Sequence, residues 1–587
     1  MKRWFKQHDA LPLWLTTALA AALFAVLYWQ YLTSPGTGTP PVSADYFFRE
    51  QEAVQEVVRE LSSSAPLVEN KDIYQLDTNL YDIYLSVFPT EDEEGTLLDL
   101  SAFDLHESKD HSYNPVLNCN IQILPEGELP SPLLDLNQEN ATIRVRGNTS
   151  RANPYKNFKI NLDNNANDFF GQRVLNLNKD YFDISKVSTK LSTDLLAEMD
   201  DILGYRTYFM RLWIRDASLA LEQQEFVYQG MYTELEQPNK TYLQARGLSE
   251  NGSLYKARNF TFTLNDALRD VNDPLYSQEA FEQVLGIREG GGSHAKLLEM
   301  LDALNDPNRD FEEVFAAYFN EENYLTWLAF NVLLGHEDII NQNFLLYSPE
   351  DSQTWYFMNW DFDGGLRFGA YESERPESLR GIQKLLMVGL HRRYFQIPGS
   401  LEKLDAKMQE LLNTHITRER VTGLAEAYKP VLDKTLREDP DLNILKYTPE
   451  QLFSYLDGLY DGILHNYDIF KASIQYPFSG FVAIPTRNQD GSVQFSWDSF
   501  YSPKLLPVTY TLQVYTDYNM ENLVYEIGGL QQTRYMLEEG LPDGTYYVLI
   551  SGTDAQGYRQ ISLEHVEGRD GNNNRYYEDG LLKFTLE

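Results

Sequence analysis

One stretch limits what this chain can fold into more than any other: Gly335 to Gly369, GHEDIINQNFLLYSPEDSQTWYFMNWDFDGGLRFG. Polar clusters stand at both of its ends. Asp338 and Asn343 belong to the first, Asp361 and Asp363 to the second. Between them run Asn343 to Ser348 and Trp355 to Asn359. Phe344, Leu346, Tyr356 and Met358 alternate there as half-buried strands do. A strand pair of this kind folds its two ends back together, so the sequence predicts that the four polar side chains meet. For either cluster alone, a hairpin with capping carboxylates is the plainer account. Order, spacing and the intervening hairpin together favour a functional pair.

The first cluster, His336 to Asn343, follows the pattern of a protein-kinase catalytic loop, H-x-D with an Asn five residues after the Asp. Glu337 stands where that pattern has Arg. Asp361-Phe362-Asp363-Gly364 occupies the place of a metal-binding D-F-G. Phosphoryl transfer needs one carboxylate to orient or deprotonate the attacking hydroxyl. It needs a second carboxylate and an amide to hold magnesium against the phosphates. Asp338 suits the first role, Asn343 and Asp361 the second. Asp363 either joins the metal site or caps a turn.

The bulk properties bound the class. With 587 residues, 43% hydrophobic and 13% aromatic, the chain has material for two to four domains and a large core. A formal net charge of −38 argues against nucleic acid and anionic lipid as partners. A single cysteine, Cys119, excludes an intramolecular disulfide framework and is expected as a small buried residue in a strand from Val116 to Leu124. Leu11 to Leu32 is apolar, free of charge and long enough to span a bilayer. Lys2, Arg3 and Lys6 precede it and aromatic residues mark its ends, which orients the following chain outward. A cleaved signal peptide fits less well, because the run is long and ends in bulky aromatics.

In chain order the expectation is a cytoplasmic N-terminus (1–10), a transmembrane helix (11–32), a linker and stalk helix (33–70), a mixed core (71–473) and a β-sandwich (474–587). Ala141 to Leu162 offers two strands around a Gly147-Asn148-Thr149-Ser150 turn. In a nucleotide-binding reading the turn and Arg146 face phosphate, and Lys156 or Lys159 serves as the strand lysine. A hairpin with basic residues on its wet face is the alternative. Ile184 to Met199 and Phe311 to Leu334 read as helices. Ser293 is expected to cap a helix, with His294 at the surface. Ser400 to Ala472 reads as a helical lobe. From Ile474 onward, alternating strands and Asp-Gly or Gln-Gly turns resemble a fibronectin type III module, suited to adhesion or positioning.

Taken together, Tyr74 to Ala472 resembles the CotH family of atypical, secreted protein kinases. The matching residues are Arg146-Gly147-Asn148-Thr149-Ser150, Pro154 to Ile160, Lys190-Leu191, Gly230-Met231-Tyr232 with Glu236-Gln237, and Ser253-Leu254-Tyr255-Lys256. Asp338 with Asn343, and Trp360-Asp361-Phe362-Asp363, complete them. The chain departs from the family pattern at Thr149-Ser150-Arg151, Asn359 and Asn161. The resemblance implies an α+β, kinase-like core that uses ATP and Mg2+ (or Mn2+) to phosphorylate Ser or Thr of exported proteins. It makes Asp338 the base and Asn343 and Asp361 metal ligands. It sets Lys156 at the nucleotide phosphates, with Glu236 near the hinge that holds adenine. Glu198 is a candidate for the helix glutamate that pairs with the lysine. Two other readings stay open: a non-catalytic scaffold for a surface or coat structure, and a divalent-metal surface hydrolase on Asp338, Asp361 and Asp363.

Overall fold

The computed structural model describes residues 66–130, 138–367, 376–569 and 575–587. The Leu11–Leu32 run, the linker and the stalk helix lie outside the described residues. Among the described residues no helix is long and apolar enough to cross a membrane.

The chain is α+β. Its first lobe is a closed barrel of seven strands. Around the barrel they run Leu80–Val87, Leu117–Pro125, Ala141–Arg146, Asn157–Leu162, Val174–Asn178, Val227–Glu236 and Thr207–Asp216. The last pairs in parallel with the first. Alternation decides the faces. Ile143, Val145, Phe158, Ile160, Leu175 and Leu177 point into the barrel and fill it. Arg144, Arg146 and Lys159 stand on the other face, where Arg144 pairs directly with Lys159. Cys119 lies buried and unpaired inside the barrel, as expected, and its thiol is raised by desolvation.

A second sheet, in the order Leu285–Glu289, Ser253–Ala257, Phe344–Ser348 and Tyr356–Asn359, carries the expected hairpin. Its register pairs Phe344 with Asn359 and Leu346 with Phe357. Both strands are buried along their whole length rather than on one face. Phe344, Leu346 and Phe357 pack into the core of the helical lobe, whereas Leu345, Tyr347, Tyr356 and Met358 pack on Tyr205 and Tyr242. The sheet is therefore an inner layer, and its hairpin ends are held from both sides.

Two expected helices are shorter or broken. The 311–334 helix divides into Phe311–Tyr318 and Glu321–Leu333, because the Asn320 side chain accepts from the Asn323 amide and starts a new helix. The helix expected from Ile184 begins only at Ser188, whose amide donates to Asp183. His294 is buried rather than at the surface. Its ring hydrogen-bonds with the Tyr255 hydroxyl at 2.8 Å and stacks on Phe281. Helices Ser400–Thr414, Arg418–Thr435 and Leu459–Ser473 build the rest of the lobe. After it, a three-stranded sheet and a five-stranded sheet pack face to face over Phe495, Trp497, Leu512, Val514, Val548 and Phe584.

Candidate active site

The two polar clusters meet. Asp338 accepts from the Asn343 amide nitrogen at 2.9 Å and from Gln342 at 2.7 Å. A Cβ placed on Gly364 would lie 3.4 Å from the His336 ring and 3.8 Å from the Asp338 Cβ, so the second cluster abuts the first. Asn331 clamps the junction. Its amide donates to the Asn359 side chain at 2.6 Å, its oxygen meets His336 Nδ1 at 3.0 Å, and its carbonyl accepts from the His336 amide at 2.9 Å. On the far side, the Ser188 hydroxyl donates to the Phe362 carbonyl at 2.5 Å, and the Leu366 amide to the Leu334 carbonyl at 2.8 Å.

Backbone strain gathers at this junction. Asn343 (φ +58°), Asp361 (φ +61°), Leu366 (φ +55°), Asp180 (φ +48°) and Lys186 (φ +61°) are all left-handed without being glycine. Each costs on the order of 1 kcal/mol, which the surrounding packing has to offset.

The electrostatics match the geometry. Desolvation raises the Asp338 carboxyl above its usual range, and the Asp361 charge adds to this against the Gln342 hydrogen bond. Asp363 is held well up by burial, then by Asp361 and Asp180. Asp180 is pushed up to about 7 by burial, Asp183 and Asp361. Burial holds His336 down at about 4, so the ring stays neutral against the Asp361 backbone.

Beside these carboxylates stands a wall of cations, of which Arg146 and Lys256 face them. Arg146 looks onto Asp361, Asp180 and Asp363, and its guanidinium donates to Asn178. Lys159 is brought down to about 8 by burial and by Arg144, Arg288 and Arg146. Lys256 is brought down to about 7 by burial, with Arg288, Arg146 and Arg258 opposing its charge and Asp361 favouring it. Its ammonium also lies 5.2 Å from the centre of the Trp360 ring. Arg288 falls to about 10 for the same reasons. Cations crowded in this way raise one another's energy, and a polyanion between them would relieve it.

The expected site residues thus separate. Asp338, Asn343, Asp361, Asp363 and Arg146 lie in one neighbourhood, and Lys159 joins it through Arg146. Asn148 is exposed on its turn, 3.3 Å from His111, which faces Arg258. Lys156 is placed elsewhere: its ammonium donates to the Arg151 carbonyl at 2.9 Å and braces that turn. Glu236 has partners of its own. It points into a buried ionic hub, accepting from Arg246 at 2.6 Å and from the Arg206 guanidinium at 2.5 Å, and Arg246 also pairs with Glu69 at 3.3 Å. Its oxygens are taken, so it has none left to offer a ligand. Glu198 pairs with Arg420 rather than with a strand lysine. Lys256, Arg288, Arg144 and Asn331 were not foreseen as site residues. Only the Ser253–Lys256 motif hinted at one of them.

A cation would find hard oxygen donors here. With the Asn343 nitrogen on Asp338, its amide oxygen is the end that can coordinate, and the Asp361 carboxylate makes no capping bond to its own turn. Among the described residues no three His, Cys, Asp or Glu side chains form a ready-made cage. Magnesium, which is bound by one or two carboxylates and completed by phosphate oxygens, fits such a donor set.

Residues 143–450, more than half of the chain, match the family described as CotH kinase protein. The chain belongs to the CotH family. Over 333 residues it is 25% identical to the inner spore coat protein H of Bacillus subtilis (strain 168), covering 55% of this chain and 87% of that protein. The CotH match begins at Ile143 and ends at Glu450. It therefore takes in Arg146, the cationic wall and both polar clusters, and it leaves the sandwich outside.

Proposed function

We propose that this CotH protein is an ATP-dependent protein kinase that transfers phosphate to Ser or Thr of exported proteins. One observation carries the reading: Arg146 from the barrel and Lys256 from the second sheet both act on Asp361, which lies by Asp363 and Asp338, while Lys159 and Arg288 crowd against Arg146. That is a place for a triphosphate with an acceptor hydroxyl at one end.

Arg146, Lys159, Lys256 and Arg288 bind the phosphate chain and orient it. Lys256 takes up a proton as the anion arrives, because the new negative charge restores its basicity. Asp361 and the Asn343 oxygen would hold magnesium, which supplies charge neutralisation at the transferred phosphoryl group. Asn343 and Gln342 fix the Asp338 carboxylate, so that its free lone pairs face the incoming hydroxyl and accept its proton as transfer proceeds. His336 and Asn331 hold the loop in place. Glu236 and Lys156 support the fold and take no part. The apolar Leu11–Leu32 run would tether the catalytic lobe outside the membrane, next to exported substrates.

The test is self-phosphorylation of the purified full-length protein with labelled ATP and Mg2+ or Mn2+. Asp361→Asn and Asp338→Asn should each lower incorporation at least a hundred-fold while leaving the circular dichroism spectrum unchanged. Label incorporation at the wild-type rate in either variant removes that residue from the mechanism. Tight nucleotide binding with no transfer to any protein favours a scaffold instead.

A further inference from the structure

The C-terminal sandwich forms a second concave surface that owes nothing to the catalytic cleft. The inner face of its five-stranded sheet is consumed by the core, through Leu512, Val514, Val548 and Ile550. The outer face carries Gln513, Tyr515 and Leu549. The hairpin His565–Arg569 with Arg575–Asp579 folds over that face, setting Val566 and Tyr576 against Tyr515 and Leu549. A groove of about 810 Å³ remains between hairpin, sheet and the end of the helical lobe.

Its walls present aromatic rings. Tyr476 and Tyr558 meet edge to face at 5.3 Å, and Tyr577 stacks on His565 at 4.9 Å yet stays 42% exposed. Between the rings stand polar side chains of fixed geometry. The Gln513 nitrogen donates to Glu526 at 2.7 Å, which leaves its oxygen as the acceptor, and Arg559, Glu578 and Asp579 complete the set. The floor strands are paired on both sides: Val508–Tyr515 lies between Leu523–Leu530 and Gly544–Asp554. These floor strands take no further strand; of the lining strands, Arg559–Ile561 and Arg575–Asp579 are paired on one side only, and the first is capped at Ile561, whose amide donates to Gln560 and whose carbonyl accepts from Ser479. What the groove offers is ring faces and side-chain donors and acceptors. That combination suits pyranose rings, whose C–H faces lie on aromatic rings while their hydroxyls both give and accept hydrogen bonds. Two carboxylates at the rim and a formal net charge of −38 disfavour a polyanion.

We propose that this groove binds a neutral polysaccharide, with a sugar ring on Tyr577 and hydroxyls on Glu578 and Asp579. The sandwich would then hold the catalytic lobe against a glycan surface.

The test uses the full-length protein in a detergent without sugar headgroups. Affinity electrophoresis and calorimetry are run with soluble glucan, xylan, glucomannan, polygalacturonate and a proline-rich peptide. The expected result is binding of at least one neutral polysaccharide and no retardation by polygalacturonate. Tyr577→Ala and Asp579→Asn should each weaken the association about ten-fold or more, equivalent to about 1.4 kcal/mol. Gln494→Ala, exposed on the other sheet, should leave it unchanged. Tyr577 sits on an exposed hairpin, so its loss should not unfold the module, and an unchanged circular dichroism spectrum confirms this. Binding undiminished in both groove variants overturns the proposal. So does the absence of binding to any neutral polysaccharide, or capture of the proline-rich peptide in its place.

Discussion

Glu236 offers the sharpest test, because sequence and structure give it different work. Replacement by Gln removes one negative charge from a hub in which the Arg246 side chain is fully buried and the Glu236 side chain is 3% exposed. Breaking a buried ion pair by removing one partner costs about 3–5 kcal/mol. Arg246 retains Glu69 at 3.3 Å, and Arg206, 11% exposed, can turn toward water. The lower end, about 3 kcal/mol, is therefore expected. That is a large share of the stability of an ordinary domain. Urea unfolding read by tryptophan fluorescence should show the midpoint fall, with ATP affinity of the folded protein changed less than about two-fold. The pH dependence follows the same logic. Desolvation raises the Glu236 carboxyl, but Arg246 and Arg206 outweigh it and leave it below the usual value. A group lowered in the folded state stabilises at pH above its unfolded pKa of about 4.3 and loses that contribution as pH falls through the folded value. The wild type should therefore lose stability below about pH 4 more steeply than Glu236→Gln. An unchanged unfolding midpoint together with lost ATP binding would refute the structural role and return Glu236 to the nucleotide site.

Other perturbations read other parts of the molecule. Lys256→Met should raise the KM for ATP about ten-fold or more, and wild-type ATP affinity should decline as pH rises through about 7 to 8, where Lys256 and Lys159 lose their protons; a flat profile across pH 6–9 would contradict this. Gly230 has φ +93°, and a Cβ there would lie 2.1 Å from the Lys179 ammonium, which pairs with Asp441 at 2.7 Å; Gly230→Ala should destabilise by about 3 kcal/mol or more in thermal or urea unfolding. Asn331→Ala frees the His336 ring and the Asn359 side chain at once, so kcat should drop about ten-fold or more with the KM for ATP little changed, measured by steady-state transfer.

The Asp338 loop, the hairpin after it and the Asp361 turn were legible because their spacing is local. A period of two between two polar ends reads as a hairpin, although it did not show that Phe357 joins Phe344 and Leu346 while Tyr356 and Met358 face the other side. The buried Cys119 strand was legible in the same way, from alternation, which also sets Arg146 and Lys159 on one face. The fate of single polar residues was not. Lys156 and Lys159 lie three apart, so alternation sets them on opposite faces of the Asn157–Leu162 edge, and only Lys159 joins Arg144, Arg146 and Arg288. Glu236 ends a strand that reads as a route to the nucleotide, yet Arg206 and Arg246 come from elsewhere in the chain to enclose it. His294 follows a glycine-rich loop and is nonetheless enclosed by Tyr255, Tyr276 and Phe281.

The sequence by itself determined the family, the two acidic ends of the hairpin, the barrel's alternating faces and the presence of a separate strand-rich module. Those follow from spacing and periodicity, which are properties of neighbouring residues. Only the tertiary structure decided that Lys256 and Arg288, on strands beside the hairpin, would complete a cationic wall with Arg146 on the barrel. Only there did Asn331 become the clamp between the two polar clusters. Such assignments depend on which sheet faces lie opposite one another, and that is fixed by packing between segments far apart in sequence.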